Sequence, residues 1–122
     1  SFFFPVHEKN LLITGRYDLI VKKKNDIQII DFKTGDEEVG DYKIQLSFYK
    51  FCFQKKYNYK NIKLYLNFIK SNQKVLVNDL PFNKIDKILF DVSDNIKKNN
   101  FDPKPGKNCK DCPYNSVCKY AI

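Results

Sequence analysis

The chain has 122 residues, of which 43% are hydrophobic and 30% are charged, and this size and composition predict a single compact domain with one core. Twenty-two Lys and Arg against 14 Asp and Glu leave a net charge of +8. That charge fits a polyanionic partner, and it equally fits an ordinary, well-solvated basic surface. Lysines and asparagines interrupt every apolar run before it reaches the roughly 20 residues of a membrane span, which excludes a transmembrane helix.

The first residues, Ser-Phe-Phe-Phe-Pro, lack the pattern of a signal peptide. We therefore expect residues 1–122 to be one domain of a larger protein, cut out of it, with a core over 9–100 and a cysteine-containing segment over 101–122. Four cysteines without a secretory signal favour a reducing, cytoplasmic location and metal binding over disulfides.

The first half of the chain predicts a β-hairpin. Residues 9–24 form an apolar run that predicts one strand with a bend at Gly15, or two strands. A turn at 25–26 and the β-branched run 27–33 complete an antiparallel pair. Charged residues lie at the apolar end of this pair, which is unusual for a purely structural element.

The second half predicts two helices and another hairpin. Residues 41–57 contain neither Gly nor Pro and carry helical periodicity. Residues 62–70 and 74–80 predict paired strands. A second amphipathic helix follows Pro81, with Asn83 as its N-cap, and is expected to pack on the sheet.

The residues with the clearest chemistry lie in the first hairpin. The period of two along a strand puts Asp31 and Lys33 on one face and turns Phe32 to the other. Asp18, on the partner strand, can reach the same patch. Two carboxylates beside an ammonium suit a Mg²⁺ site for phosphodiester hydrolysis, because hard cations prefer oxygen ligands. The alternative is an ordinary ion pair at a strand end.

The predicted helix over 41–57 adds two more candidate site residues. Gln45 and Tyr49 lie one helical turn apart and can donate hydrogen bonds to a phosphate or to the surroundings of the lysine.

Three segments in this order, GRYDLI, IIDFKTG and QLSFY, resemble the PD-(D/E)xK nuclease superfamily. The similarity is to its RecB-like and AddB-like branch, which occurs in recombination nucleases, nuclease-fused helicases and CRISPR-associated exonucleases. The resemblance runs from about Gly15 to Cys118.

The resemblance implies an α/β (α+β) fold of the restriction-endonuclease type, with a central mixed sheet of about four strands flanked by helices. It also implies a Mg²⁺- or Mn²⁺-dependent DNA exonuclease, part of a repair or recombination protein with a fused or associated helicase. The implied site residues are Asp18, Asp31 and the Phe32 carbonyl as metal ligands, Lys33 as the catalytic lysine, and Gln45 with Tyr49 supporting the site or contacting DNA.

The resemblance implies a metal-binding histidine and a glutamate on a helix before the first strand, and we expect that helix to lie outside residues 1–122. His7 is the only histidine. We expect it to be an exposed residue at a strand end rather than that ligand. The role of Glu8 stays open between binding, a salt bridge and simple solvation.

The spacing Cys109-x2-Cys112-x5-Cys118 resembles three of the four ligands of the [4Fe–4S] cluster in the same branch, and thiolates at this spacing can share one metal. The resemblance places the fourth cysteine upstream of this chain. Zinc, no metal, or a disulfide between two of the thiols are the alternatives. Cys52 is expected to be a small buried apolar side chain.

Two other functions compete with the nuclease. One is a DNA-binding or structural module that keeps the nuclease fold without turnover, since phosphate contacts require only charge. The other is a small zinc-binding interaction domain built around the cysteines, which leaves Asp31 and Lys33 unexplained.

Overall fold

The computed structural model describes residues 2–6, 11–35, 40 and 42–122, and for residues 2–6 and 11 only the backbone. Within these residues, a four-stranded mixed sheet is flanked by helices, as predicted, and a two-stranded antiparallel sheet precedes it. The elements in chain order are β1 (Phe2–Val6), β2 (Leu11–Gly15), β3 (Leu19–Lys23), β4 (Asp26–Lys33), α1 (Tyr42–Lys56), β5 (Asn61–Phe68), β6 (Gln73–Val77) and α2 (Phe82–Lys97), followed by a 3-10 helix over Lys107–Asp111.

The apolar run over 9–24 forms two strands that belong to different sheets, β2 beside β1 and β3 beside β4. The predicted antiparallel hairpin of β3 and β4 is confirmed, with Leu19 opposite Ile30. Its turn lies one residue earlier than predicted, because Asp26 already pairs with Lys23. Continued by one residue, this register would bring residue 18 opposite residue 31.

Strands β4 and β5 are parallel, and α1 provides the crossover that a parallel pair requires. Strands β5 and β6 form the second predicted hairpin, around a turn at 69–72. The sheet order β3-β4-β5-β6 therefore puts β4 in the interior, with its last residues next to the start of the crossover.

The main core lies between α1 and one face of the four-stranded sheet. Side chains of β4 and β5 alternate between this face and the opposite one, as strand geometry requires. Two residues of α1 complete the core from the helix side. The buried members of this cluster are Ile27, Ile29, Leu46, Phe53, Ile62, Leu64, Leu66, Phe68 and Val77.

Helix α2 packs against α1 rather than on the four-stranded sheet, contrary to the prediction. Ile85 and Leu89 join Phe51 and Cys52 in a second buried cluster, and the backbone of α2 also lies near β1. The reason is that α1 already covers the apolar face of the sheet. The prediction that Cys52 is a small buried apolar residue is confirmed, since it is 3% exposed.

The start of α2 also differs from the prediction. Pro81 is the N-cap, and Asn83 lies inside the helix, where its side chain accepts a hydrogen bond from the backbone N–H of Lys84. Proline is tolerated at the start of a helix because its missing N–H would have no intrahelical partner there. No helix among the described residues is long and apolar enough to cross a membrane.

Candidate active site

The carboxyl end of β4 and the first turns of α1 bring the predicted site residues together. Asp31 and Lys33 point to the same side of β4, where Lys33 Nζ lies 2.7 Å from Asp31 Oδ2. The ring of Phe32 faces the other way and is 40% exposed. The alternation inferred from the sequence therefore describes this strand correctly.

Asp31 is a buried charge with incomplete compensation. Only 3% of the residue is exposed, and among the described residues its Oδ2 makes no hydrogen bond of good geometry beyond the ion pair with Lys33. Burial raises the pKa of Asp31, the Lys33 ammonium opposes that rise, and the nearby Asp18 carboxylate adds to it. A buried oxygen with spare acceptor capacity beside a second carboxylate is well suited to a cation.

Asp18 lies in a bend just before β3, not inside a strand as predicted. Its Oδ2 accepts a hydrogen bond of 3.0 Å from the backbone N–H of Phe32. This bond holds the Asp18 carboxylate at the end of β4, close enough to Asp31 to raise the pKa of Asp31.

A chain of hydrogen bonds connects the lysine to α1. Lys33 Nζ donates to Gln45 Oε1 at 3.0 Å, and Gln45 Nε2 donates to the Tyr49 hydroxyl at 2.9 Å. Burial raises the pKa of Tyr49, the hydrogen bond from Gln45 opposes that rise, and the charges of the two acids add to it. The Tyr49 hydroxyl therefore orients the Gln45 amide, and the Gln45 amide orients Nζ of Lys33.

Two tyrosines that sequence reasoning left out of the site border these residues. The ring centroid of Tyr42 lies 4.2 Å from Lys33 Nζ. The hydroxyl of Tyr17 donates to the Tyr49 carbonyl at 3.4 Å, and the two rings meet edge to face. The position of Tyr42, three residues before Gln45 on one helix face, would have indicated its place. No comparable spacing indicated Tyr17.

The donor chemistry of this site fits Mg²⁺ or Mn²⁺. Both Asp18 and Asp31 offer carboxylate oxygens, and Mg²⁺ commonly uses one or two carboxylates while water and substrate phosphates complete its coordination. Among the described residues, no group of three or more His, Cys, Asp or Glu side chains is arranged to hold a metal. His7 and Glu8 lie outside the described residues, and the role of the Phe32 carbonyl stays a prediction.

The three clustered cysteines are not arranged as a metal site. Cys109 and Cys112 are partly buried and Cys118 is exposed, all as free thiols, and the described residues include no metal-holding group. Local hydrogen bonds organise this segment instead, including one of 2.7 Å from the Asn115 side chain to the Cys109 carbonyl. The predicted iron–sulfur cluster therefore has no support in the structure.

Comparisons with known proteins agree with this architecture. The model of the PD-(D/E)XK nuclease superfamily matches residues 2–119. The fold is similar to the crystal structure of SSO0001, with a TM-score of 0.66 and 16% sequence identity, covering 99% of this chain and 58% of that one. A search of curated proteins found no significant match. Because the family match spans nearly the whole sequence, the chain belongs to the PD-(D/E)XK nuclease superfamily.

Proposed function

We propose that this chain is a Mg²⁺- or Mn²⁺-dependent deoxyribonuclease domain that hydrolyses phosphodiester bonds. The observation that supports it best is the convergence of Asp18, which precedes β3, with Asp31 and Lys33 at the end of β4. A buried ion pair is weak evidence for stability, because desolvation offsets its attraction. A chemical role explains better why Asp31 is charged and buried.

The two acids have a distinct task in this proposal. Asp18 and Asp31 would hold the divalent ion, with the Phe32 carbonyl as a proposed further ligand, and the bound ion supplies positive charge that polarises the scissile phosphate. The backbone of β4 keeps the acids in place, since Asp31 belongs to the strand and Asp18 is bonded to the N–H of Phe32.

Lys33 supplies a second positive charge on the same side of β4. Hydrolysis of a phosphodiester gathers negative charge on the phosphoryl oxygens in the transition state, and a pre-oriented ammonium stabilises that charge without a reorganisation cost. The amide of Gln45 fixes the direction of Nζ, and the Tyr49 hydroxyl in turn fixes the amide. The sequence Lys33, Gln45, Tyr49 therefore forms an orienting chain.

We further propose membership of the RecB-like and AddB-like branch, with exonuclease action in DNA repair or recombination alongside a helicase. The order of the three motif segments supports this branch. A comparison of linear DNA with covalently closed circular DNA of the same sequence tests the exonuclease action, since an exonuclease degrades only the linear form.

The main experiment measures cleavage of labelled linear DNA by the purified protein with Mg²⁺, Mn²⁺ or EDTA. Cleavage should require the metal and disappear in Asp31→Ala and Lys33→Ala. Lys87→Ala, which removes an exposed lysine of α2 away from the site, is the matched control and should cut normally. Undiminished cleavage in both site variants contradicts the proposal. Salt-sensitive DNA binding without any cleavage would instead establish a non-catalytic binding module.

A further inference from the structure

We infer that Tyr42 is a positioning residue for Lys33, acting through the face of its aromatic ring. This inference rests on the proposed nuclease function. Tyr42 is the first residue of α1, and its ring centroid is 4.2 Å from Lys33 Nζ. That distance is well within the roughly 6 Å over which a ring face attracts an ammonium.

The ring completes the surroundings of the ammonium. A lysine has three N–H donors, and Nζ of Lys33 has two oxygen partners, Asp31 Oδ2 at 2.7 Å and Gln45 Oε1 at 3.0 Å. The Tyr42 ring covers a further side of the same nitrogen. With these three contacts, only 17% of the Lys33 side chain stays exposed. Nζ is therefore held in one place rather than moving through solvent.

The ring itself is anchored by the protein core. Tyr42 is half-buried and packs against the main core cluster between α1 and the sheet. Gln45 and Tyr49 follow at three and seven residues along the same helix, so the three side chains share one face. The packing that fixes α1 on the sheet thus also fixes the ring over Nζ.

The chemistry explains why a ring suits this position. A carboxylate in place of the ring would add a second full negative charge beside Nζ, which would compete with the substrate phosphate for the lysine and repel that phosphate. An aromatic face attracts the ammonium through its quadrupole without a net charge. Lys33 is thereby positioned with its positive charge still available to a phosphate.

The test compares Tyr42→Phe with Tyr42→Leu. Phenylalanine keeps the ring, so its kcat for DNA cleavage should stay within about twofold of wild type, whereas leucine should lower kcat about tenfold, the size expected of a partly desolvated cation–π contact. KM should change little in both, because the contact is with the lysine and not with DNA. Tyr65→Leu is the control. It removes a ring at the same 4.2 Å from a lysine, Lys74, away from the site.

Two outcomes overturn the inference. In the first, Tyr42→Leu keeps the wild-type kcat. In the second, Tyr42→Phe loses as much as Tyr42→Leu, which would assign the effect to the hydroxyl group. A fall in kcat for Tyr65→Leu equal to that of Tyr42→Leu would also overturn it, since the effect would then be a general loss of packing.

A double-mutant cycle in unfolding experiments separates this inference from the proposed function. The cycle combines Tyr42→Leu with Lys33→Met and measures their coupling by denaturation, without reference to activity. If the wild-type protein does not cleave DNA, the proposed function fails and the catalytic part of the inference fails with it. The coupling energy still shows whether the Tyr42 ring stabilises the Lys33 ammonium. Additive effects in the cycle would show that the ring does not hold the lysine.

Discussion

The carboxylate of Asp18 accepts a hydrogen bond from the backbone N–H of Phe32, 3.0 Å away and 14 positions along the chain. The peptide that donates this bond lies between Asp31 and Lys33, so the first acid is positioned by the strand that carries the other two groups. Asp18 needs this bond because it precedes β3 and is not itself held in the sheet.

Asp18→Asn should separate the structural role of this residue from its chemical one. An asparagine side chain keeps an oxygen that can accept the N–H of Phe32, whereas the negative charge is lost. Cleavage should fall at least about 100-fold, since one of two anionic ligands is gone, and the free energy of unfolding should hardly change. Asp18→Ala should lose cleavage and also about 1 kcal/mol of stability, because the N–H loses its acceptor. Cleavage rates and urea denaturation measure the two effects, and normal cleavage by Asp18→Asn would remove this acid from the site.

Asp31→Asn should abolish cleavage and stabilise the protein. A raised pKa in the folded state means that the folded chain holds the proton more tightly than the unfolded chain. Ionisation of Asp31 therefore opposes folding as the pH rises above the ordinary carboxyl pKa of about 4. The variant should unfold at a higher temperature than wild type at pH 7, and the difference should shrink as the pH falls toward 4.

The control for this pH effect is Asp79→Asn. Asp79 pairs with Lys50 at 3.0 Å on the surface, where its side chain is 41% exposed, so its removal should bring no gain in stability. A lower melting temperature for Asp31→Asn at pH 7 would contradict the prediction, because the ion pair with Lys33 would then outweigh the cost of burial.

The local part of this site follows directly from the sequence. The period of two in a strand places Asp31 with Lys33, and the helical period places Gln45 with Tyr49, because each relation lies within one regular element. Apolar periodicity also predicts both helices and the two hairpins, because it is strongest in long elements. The four-stranded mixed sheet follows only from the resemblance to the nuclease superfamily.

Other features depend on contacts between elements, which periodicity does not specify. The bend at Asp18 follows from the division of residues 9–24 between two sheets. Helix α2 packs on α1 because α1 already covers the apolar face of the four-stranded sheet. The spacing of Cys109, Cys112 and Cys118 suggested a shared metal, but spacing alone does not fix the direction of each thiol. In the part of the chain that the structure describes, these thiols form no group arranged to hold a metal.

Gln45→Leu should lower cleavage about tenfold with little change in KM. It removes the oxygen that accepts a hydrogen bond from Lys33 Nζ at 3.0 Å, and such a bond to a charged group is worth about 1.5–3 kcal/mol. Tyr49→Phe should have a smaller effect, since it removes the acceptor of the Gln45 amide, one step further from the lysine. Steady-state kinetics on a labelled DNA substrate measure both. A larger loss of cleavage in Tyr49→Phe than in Gln45→Leu would contradict the proposed order, in which Tyr49 acts on Lys33 through Gln45.

Thiol labelling should distinguish the cysteines by their surroundings. Hydrogen bonds from the backbone N–H groups of Gly106 and Ile122 lower the pKa of Cys109, whereas burial raises that of Cys52 to about 11. Because the thiolate is the nucleophile, iodoacetamide at pH 7.5 should modify Cys109 at least about 100-fold faster than Cys52. Mass spectrometry of timed samples measures the rates.

The same experiment tests the absence of a metal-holding group among the described cysteines. Addition of Zn²⁺, or anaerobic incubation with iron and sulfide, should not slow the labelling of Cys109, because the thiols of Cys112 and Cys118 do not converge with it. Joint protection of all three cysteines would show that a metal reorganises this segment and would restore the expected centre.

DNA binding should depend on lysines far from the cleavage site. Lys60 and Lys63 line a cleft of about 470 Å³ at the start of β4 and β5, and in the described part of the chain neither pairs with a carboxylate. If both contact phosphates, their replacement by serine should reduce the slope of log Kd against log salt concentration by about 2, since each phosphate contact contributes about 0.9. The kcat of cleavage should be unchanged, because the cleft lies at the opposite end of β4 from Lys33. The control replaces Lys84 and Lys87, two exposed lysines on α2, by serine. An equal change in slope from this pair would mean that net charge alone attracts DNA.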